Sequence, residues 1–169
     1  MRPWSDRPIQ DCQELLEHLP PQLFRIEPHP YELVGAPYGP GKDPFRLRSG
    51  VVRRLLQAQD QLRHRAPALQ FAIFDAWRPI SVQAFMVNYT IDQLCRERGV
   101  DRHDPAQTAD LHEVESEVGR FWAPPSQNPQ TPPPHSTGAA VDLTLATDAG
   151  SLLQMGGAID AIGAVSEPD

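Results

Sequence analysis

Nineteen prolines are spread through the 169 residues instead of being gathered in one tract. Each ring fixes its own φ, withholds a backbone donor and pushes the preceding residue toward extended backbone. Regular elements must therefore fit between the prolines and be joined by many loops. Apolar-periodic segments do occupy those gaps, so the loops are expected to be ordered. The first gap, Asp11 to Leu19, reads as a helix stopped by Pro20 and Pro21. From Phe24 to Tyr38, short extended pieces, FRI and YELV, are broken by Pro28, Pro30 and Pro37, and YGPGKDP reads as turns. Ser49 can cap a helix with Val52, Leu55, Leu56 and Leu62 on one face and Arg53, Arg54, Gln57 and Asp60 on the other.

Gln70 to Arg78, QFAIFDAWR, reads as a strand in which Phe71, Ile73 and Trp77 alternate and which Pro79 ends. A helix opening at Ser81 carries Val82, Phe85, Met86 and Tyr89 and stops at Gly99. A second spans Thr108 to Trp122 through Leu111, Val114, Val118 and Phe121. A stiff loop from Ala123 to Pro134 then delivers His135. After Gly138 a strand from Ala139 to Leu145 sets Val141, Leu143 and Leu145 on one face and Ala140, Asp142 and Thr144 on the other. Helices mixed with a few strands, without regular alternation, predict an α+β domain on a mostly antiparallel sheet flanked by helices. The length fits one domain over 1–169, and no repeat or linker divides it.

The two cysteines, Cys12 and Cys95, are too few for a disulfide framework and point to a reducing compartment. Neither a signal-like apolar run nor a membrane-length one is present, so a soluble, cytoplasmic protein is expected. A net charge of −7 argues against nucleic acid and anionic membrane as partners. Oligomeric state is not legible.

Two groups of residues carry chemistry. His135 and Asp142 offer imidazole nitrogen and carboxylate oxygen, both good donors to a borderline cation such as Zn²⁺. Spacing alone leaves open a loop histidine and a strand aspartate that cap a turn or face water. Asp75-Ala76-Trp77-Arg78-Pro79 puts a guanidinium at a strand end, where it could stabilise negative charge on a substrate oxygen, with Asp75 holding it in position. The alternative is a strand-end ion pair beside a core tryptophan.

Taken together, FDAWRP, HSTGAAVDLTL and MGGAIDAIGAVS resemble the VanX-type D-alanyl-D-alanine dipeptidases, zinc metallopeptidases related to D,D-carboxypeptidases and to the Hedgehog signalling domain. The resemblance runs from about Tyr31 to the end, and its most specific element is the His-x6-Asp pair downstream of D-x-W-R-P. It implies a Hedgehog/DD-peptidase-like fold and hydrolysis of the small free dipeptide D-Ala-D-Ala in peptidoglycan precursor metabolism. It further implies one Zn²⁺ per chain on His135 and Asp142, Arg78 stabilising the tetrahedral intermediate, and Asp75 as the partner of Arg78.

The chain also departs from that family. Pro133 replaces a hydroxyl residue two positions before the first ligand, and Ile159 stands where an aromatic residue is expected. The family's Glu-x-x-His, general base and third ligand, occurs nowhere; no histidine follows His135, and the one glutamate after Asp142 is Glu167. The expectation is a domain lacking its last strands, and a 169-residue chain that is inactive or impaired. His18, His29, His64, His103 and His112 are expected on the surface, with His112 the least unattractive substitute ligand. A degenerate D-Ala-peptide-binding protein, or a carboxypeptidase or endopeptidase acting on larger peptidoglycan peptides, are the competing readings.

Overall fold

In the computed structural model, which describes residues 8–157, five short strands and four helices alternate irregularly. They are β1 (Leu16–His18), β2 (Phe24–Arg25), α1 (Pro30–Leu33), β3 (Arg46–Arg48), α2 (Ser49–Arg65), β4 (Leu69–Asp75), α3 (Ile80–Arg98), α4 (Thr108–Phe121) and β5 (Asp142–Thr147). Single 3₁₀ turns at Pro105–Gln107 and Pro134–Thr137 precede α4 and β5. β4 is the centre of a three-stranded sheet, parallel to β2 on one side and antiparallel to β5 on the other. β1 and β3 form a separate antiparallel pair. This is the α+β arrangement expected, with antiparallel pairing dominant.

β4 is buried on both faces. Ile73 packs with Val52 and Leu55 of α2 together with Leu19, Leu23, Phe45 and Leu47. Phe74 instead joins Val82 and Met86 of α3, with Tyr31 and Tyr38 from the loop-rich N-terminal region. α4 lies outside α3, its fully buried Val114 and Val118 against Ile91 and Cys95. Burial of each such valine contributes on the order of 1.5–3 kcal/mol. Gly99, at φ +68°, ends α3 as the glycine signal predicts.

Several expectations change. Asp11–Leu19 is not a helix: Leu16–His18 pairs with Arg46–Arg48, which buries Leu19 and leaves Leu15 exposed. A helical stripe would have carried both inward, so long-range pairing overrides local propensity. YELV is not extended. It forms α1, started by Pro30 at its first position and by His29, whose Nδ1 accepts from the Tyr31 N–H. The strand expected to reach Arg78 ends at Asp75, and the one expected from Ala139 begins at Asp142. On β5 the small-residue face is the buried one: Thr144 and Ala146 are covered, whereas Leu143 is exposed. Ile159, where an aromatic residue is expected, and Glu167 lie outside the described residues.

Ser49 begins α2 but does not cap it. The cap comes from far away in sequence: the Glu14 carboxylate accepts from the Gly50 N–H at 2.6 Å, while the Ser49 N–H donates to Leu15 O. An ideal Cβ on Gly50 would lie 2.6 Å from Glu14 Oε2, so the glycine makes room for the cap. A carboxylate there satisfies an otherwise unpaired N–H and lies at the positive end of the helix dipole. Glu14→Ala is expected to destabilise the protein by ~1 kcal/mol, and Glu14→Gln, which keeps an acceptor, by less; urea unfolding of the two variants checks it.

Candidate metal centre

Asp75 and Asp142 begin as neighbours across the sheet. Ile73 pairs with Leu143, but a bulge follows and the next pair is Asp75 with Asp142. Without that extra residue Phe74 would stand opposite Asp142, and Asp75 would point to the other face. The bulge therefore aims Asp75 at the face that Asp142 shares, while Phe74 keeps its place in the α3 core. His135 arrives from the 3₁₀ turn after the proline-rich loop. That turn is tied to the end of β4 by Arg78 N–H donating to His135 O (3.2 Å) and Ser136 Oγ donating to Arg78 O (2.7 Å).

His135, Asp142 and Asp75 are thus brought together, with donor atoms within 4.8 Å of one another. His135 Nδ1 lies 2.9 Å from Ala76 O, an oxygen that can only accept, so Nδ1 carries the proton. Its other nitrogen, Nε2, then faces Asp142 Oδ2 at 3.3 Å. That spacing is about the edge of a tetrahedron with metal bonds of ~2.0–2.1 Å. A carbonyl-bound Nδ1–H is also the device that orients metal-binding imidazoles. Burial lowers the proton affinity of His135, but the hydrogen bond to Asp142 and the charge of Asp75 outweigh it and hold the ring above the usual histidine range. The same pull on Nε2 favours a cation there. Asp142 is partly exposed, so a ligand from solvent can reach the pair.

Asp75 is different, being fully buried. Its Oδ2 accepts from Arg78 Nε (3.1 Å) and Nη2 (2.5 Å), and lies 3.2 Å from His135 Nδ1. Burial pushes its pKa up, yet His29, Arg78 and His135 together bring it below the usual carboxylate range. Arg78 is 5% exposed. Beyond Asp75, its Nη1 donates to Gln83 Oε1 (2.7 Å) and its Nη2 to Tyr31 Oη (3.3 Å). Its guanidinium carbon lies 5.1 Å from the Tyr31 ring centroid and 4.7 Å from that of Trp122. Gln83 is itself fixed by donating to Ala123 O at 2.6 Å. Four of the five guanidinium N–H groups are thereby engaged.

The paired carboxylate and guanidinium of D-x-W-R-P, and the nearness of His135 to Asp142, agree with the sequence expectations. The histidine expectations agree only in part. His18, His64, His103 and His112 are exposed, and His112 on α4 is not in the cluster. His29 is not on the surface: it is 1% exposed, with Nε2 3.4 Å from Asp75 Oδ1. Its surroundings read as short extended pieces broken by Pro28 and Pro30, a local signal that says nothing about burial. Gln83 and Trp122 fall in segments read as helices and Tyr31 in the extended piece YELV, so nothing in the sequence singled them out. Pro133, in place of a hydroxyl, is fully buried.

Comparison with known proteins places these residues in a wider setting. The profile of a peptidase family described as D-ala-D-ala dipeptidase matches residues 25–169. A curated D-alanyl-D-alanine dipeptidase from Synechocystis sp. is 42% identical over 172 residues, which cover 100% of this chain and 68% of that protein. Two solved structures of a vancomycin resistance D,D-pentapeptidase, VanY, align at 15% identity. One, an E175A mutant in complex with Zn(II), has a TM-score of 0.48 and covers 83% of this chain and 57% of its own. The other, in complex with D-alanine-D-alanine, has a TM-score of 0.49, covering 84% and 56%. The chain thus spans a little over half the length of those two structures.

Removing one partner of a buried ion pair leaves the other charge uncompensated. Asp75→Ala is expected to cost ~3–5 kcal/mol, and Asp75→Asn less because an acceptor for Arg78 remains. Denaturant unfolding of both, with an unchanged slope on denaturant, is the check.

Proposed function

The chain belongs to the D-ala-D-ala dipeptidase family of peptidases, and from that premise we propose that its cleft holds one Zn²⁺ on His135 and Asp142 and is built to hydrolyse the free dipeptide D-Ala-D-Ala. The supporting observation is local: a solvent-reachable carboxylate 3.3 Å from the unprotonated-side nitrogen of an imidazole whose other nitrogen is fixed on a carbonyl. Bound there, the metal would polarise a peptide carbonyl and lower the pKa of its water. The protein's own residues supply the rest. His135 and Asp142 present their donors from a turn and a strand start that are hydrogen-bonded to β4, so little reorganisation accompanies binding. Arg78, held by Asp75, Gln83 and Tyr31 between two rings, is a cation whose position is set before any substrate arrives; such preorganised charge stabilises a developing oxyanion. Asp75 acts by holding Arg78 beside His135, not as a base: its Oδ2 already accepts from Arg78, and the carboxylate is fully buried.

Catalytic zinc sites use three protein ligands and an open position. Among the described residues, the group nearest to completing the set is Asp75, and using it would withdraw the acceptor from Arg78. No carboxylate among them stands free beside the pair as a proton acceptor. The 169-residue chain is therefore proposed to bind Zn²⁺ weakly and to turn the dipeptide over slowly or not at all, since a general base contributes ~10²–10⁴-fold.

Zinc affinity by chelator competition tests the ligand assignment: His135→Ala and Asp142→Ala are each expected to lower it tenfold or more, while His112→Ala leaves it unchanged. Equal affinities for all three variants would refute it. Turnover of D-Ala-D-Ala by this chain at an ordinary enzymatic rate of ~10 s⁻¹, lost on chelation, would refute the two-ligand reading.

A further inference from the structure

We infer that His29 is a positioning residue of this site, acting through Asp75. The inference rests on the zinc-site reading above for its functional consequence, and on geometry for its existence. His29 is 1% exposed and Asp75 is fully buried, so neither is hydrated by bulk solvent. The tautomer of His29 follows from its neighbours: Nδ1 accepts from the Tyr31 N–H at 3.2 Å, so the neutral ring carries its proton on Nε2. Nε2 lies 3.4 Å from Asp75 Oδ1, and these are two buried polar atoms that have no closer hydrogen bond among the described residues. Each is the other's natural partner.

The ring cannot turn away. Tyr31, Tyr38 and Phe45 stand edge-on around it, with centroids at 5.2, 5.5 and 5.2 Å. Asp75 is consequently shared in a fixed order: Oδ1 faces His29, while Oδ2 serves Arg78 and His135. A carboxylate gripped on one oxygen can rotate about its own bond. One held on both cannot, and its rotation is what would release Arg78 and move the charge that lies 3.2 Å from His135 Nδ1. His29 thus reaches the metal pair and the catalytic cation without touching either. Outer partners of metal-binding histidines of this kind are worth about 10–100-fold in metal affinity or activity.

Two substitutions separate this role from plain packing. In His29→Asn the short amide keeps an acceptor near Nδ1 for the Tyr31 N–H but has no donor that reaches Asp75. In His29→Gln the longer amide can place its N–H₂ where Nε2–H was. Zinc affinity by chelator competition and the steady-state constants for D-Ala-D-Ala are measured for wild type, H29N and H29Q, alongside melting temperatures. Zinc affinity is expected to fall about 10–100-fold in H29N, and any turnover to lose kcat more than KM, with H29Q recovering most of the loss. Should H29N not fold, H29S, which also caps α1 and cannot reach Asp75, takes its place.

The inference is overturned if H29N keeps wild-type affinity, or if H29N and H29Q fall together in step with their melting temperatures. A wild-type chain that binds Zn²⁺ without measurable cleavage is the outcome proposed above for these 169 residues, and His29 is then judged on affinity alone. A wild-type chain that binds no Zn²⁺ overturns both.

Discussion

The Asp75 carboxylate is the point on which the architecture turns. It is an anion with no solvent, and such a group is tolerated only when donors surround it. Here Arg78 donates from the strand end, while His29 of a helix cap faces Oδ1 at 3.4 Å and His135 of the following turn lies 3.2 Å from Oδ2. Three segments far apart in sequence are therefore obliged to meet at one residue. The obligation is met by a single extra residue in β4, because the bulge after Ile73 decides which face Asp75 takes. A regular strand with the same composition would turn the charge to the Ile73 face, against α2, and leave Phe74 opposite Asp142.

The turn around His135 is held from its other side as well. Arg48, at the junction of β3 and α2, donates from its backbone to Gly138 O and from Nε to Thr137 O, both at 2.8 Å. Its Nη1 donates to Glu14 O. Gly138 has φ +71°, and a Cβ there would come within 2.3 Å of Leu16 Cδ2. Only a glycine allows that left-handed exit with β1 packed against it. The short β1–β3 pair is thus more than a cover for the core. It braces the turn from which the His135 imidazole projects, just as Arg78 and Ser136 brace it from the end of β4.

What was legible in the sequence followed the range of the forces involved. α3 and α4 were readable to within a residue or so, because their apolar spacing and the Gly99 stop are local signals. The pairs Asp75 with Arg78 and His135 with Asp142 were also readable, since each lies within one motif. Residues 11–19 were misread because the pairing of β1 with β3 spans about thirty residues, and nothing near Leu16 announces it. His29 was misread for a related reason. H-P-Y encodes a helix start, but its burial depends on Phe45 and Asp75, which arrive from other parts of the chain. The register bulge left no mark at all in a run as regular as Phe71-Ala72-Ile73-Phe74-Asp75.

The same interaction that organises the site also limits it. To act as a metal ligand, Asp75 would have to turn an oxygen from Arg78 or His29 toward His135 and Asp142. Turning it from Arg78 would leave a guanidinium in a 5% exposed position with the rings of Tyr31 and Trp122 but without its counter-ion, a change that costs several kcal/mol. Turning it from His29 would take from the Nε2–H the acceptor it faces, within an enclosure of aromatic rings. A metal bond gained at Asp75 would thus be offset by the buried charge or donor it exposed. The carboxylate works by staying where it is: it fixes the Arg78 guanidinium on one side and lies against the His135 imidazole on the other, and in the proposed site ligation falls to the partly exposed Asp142.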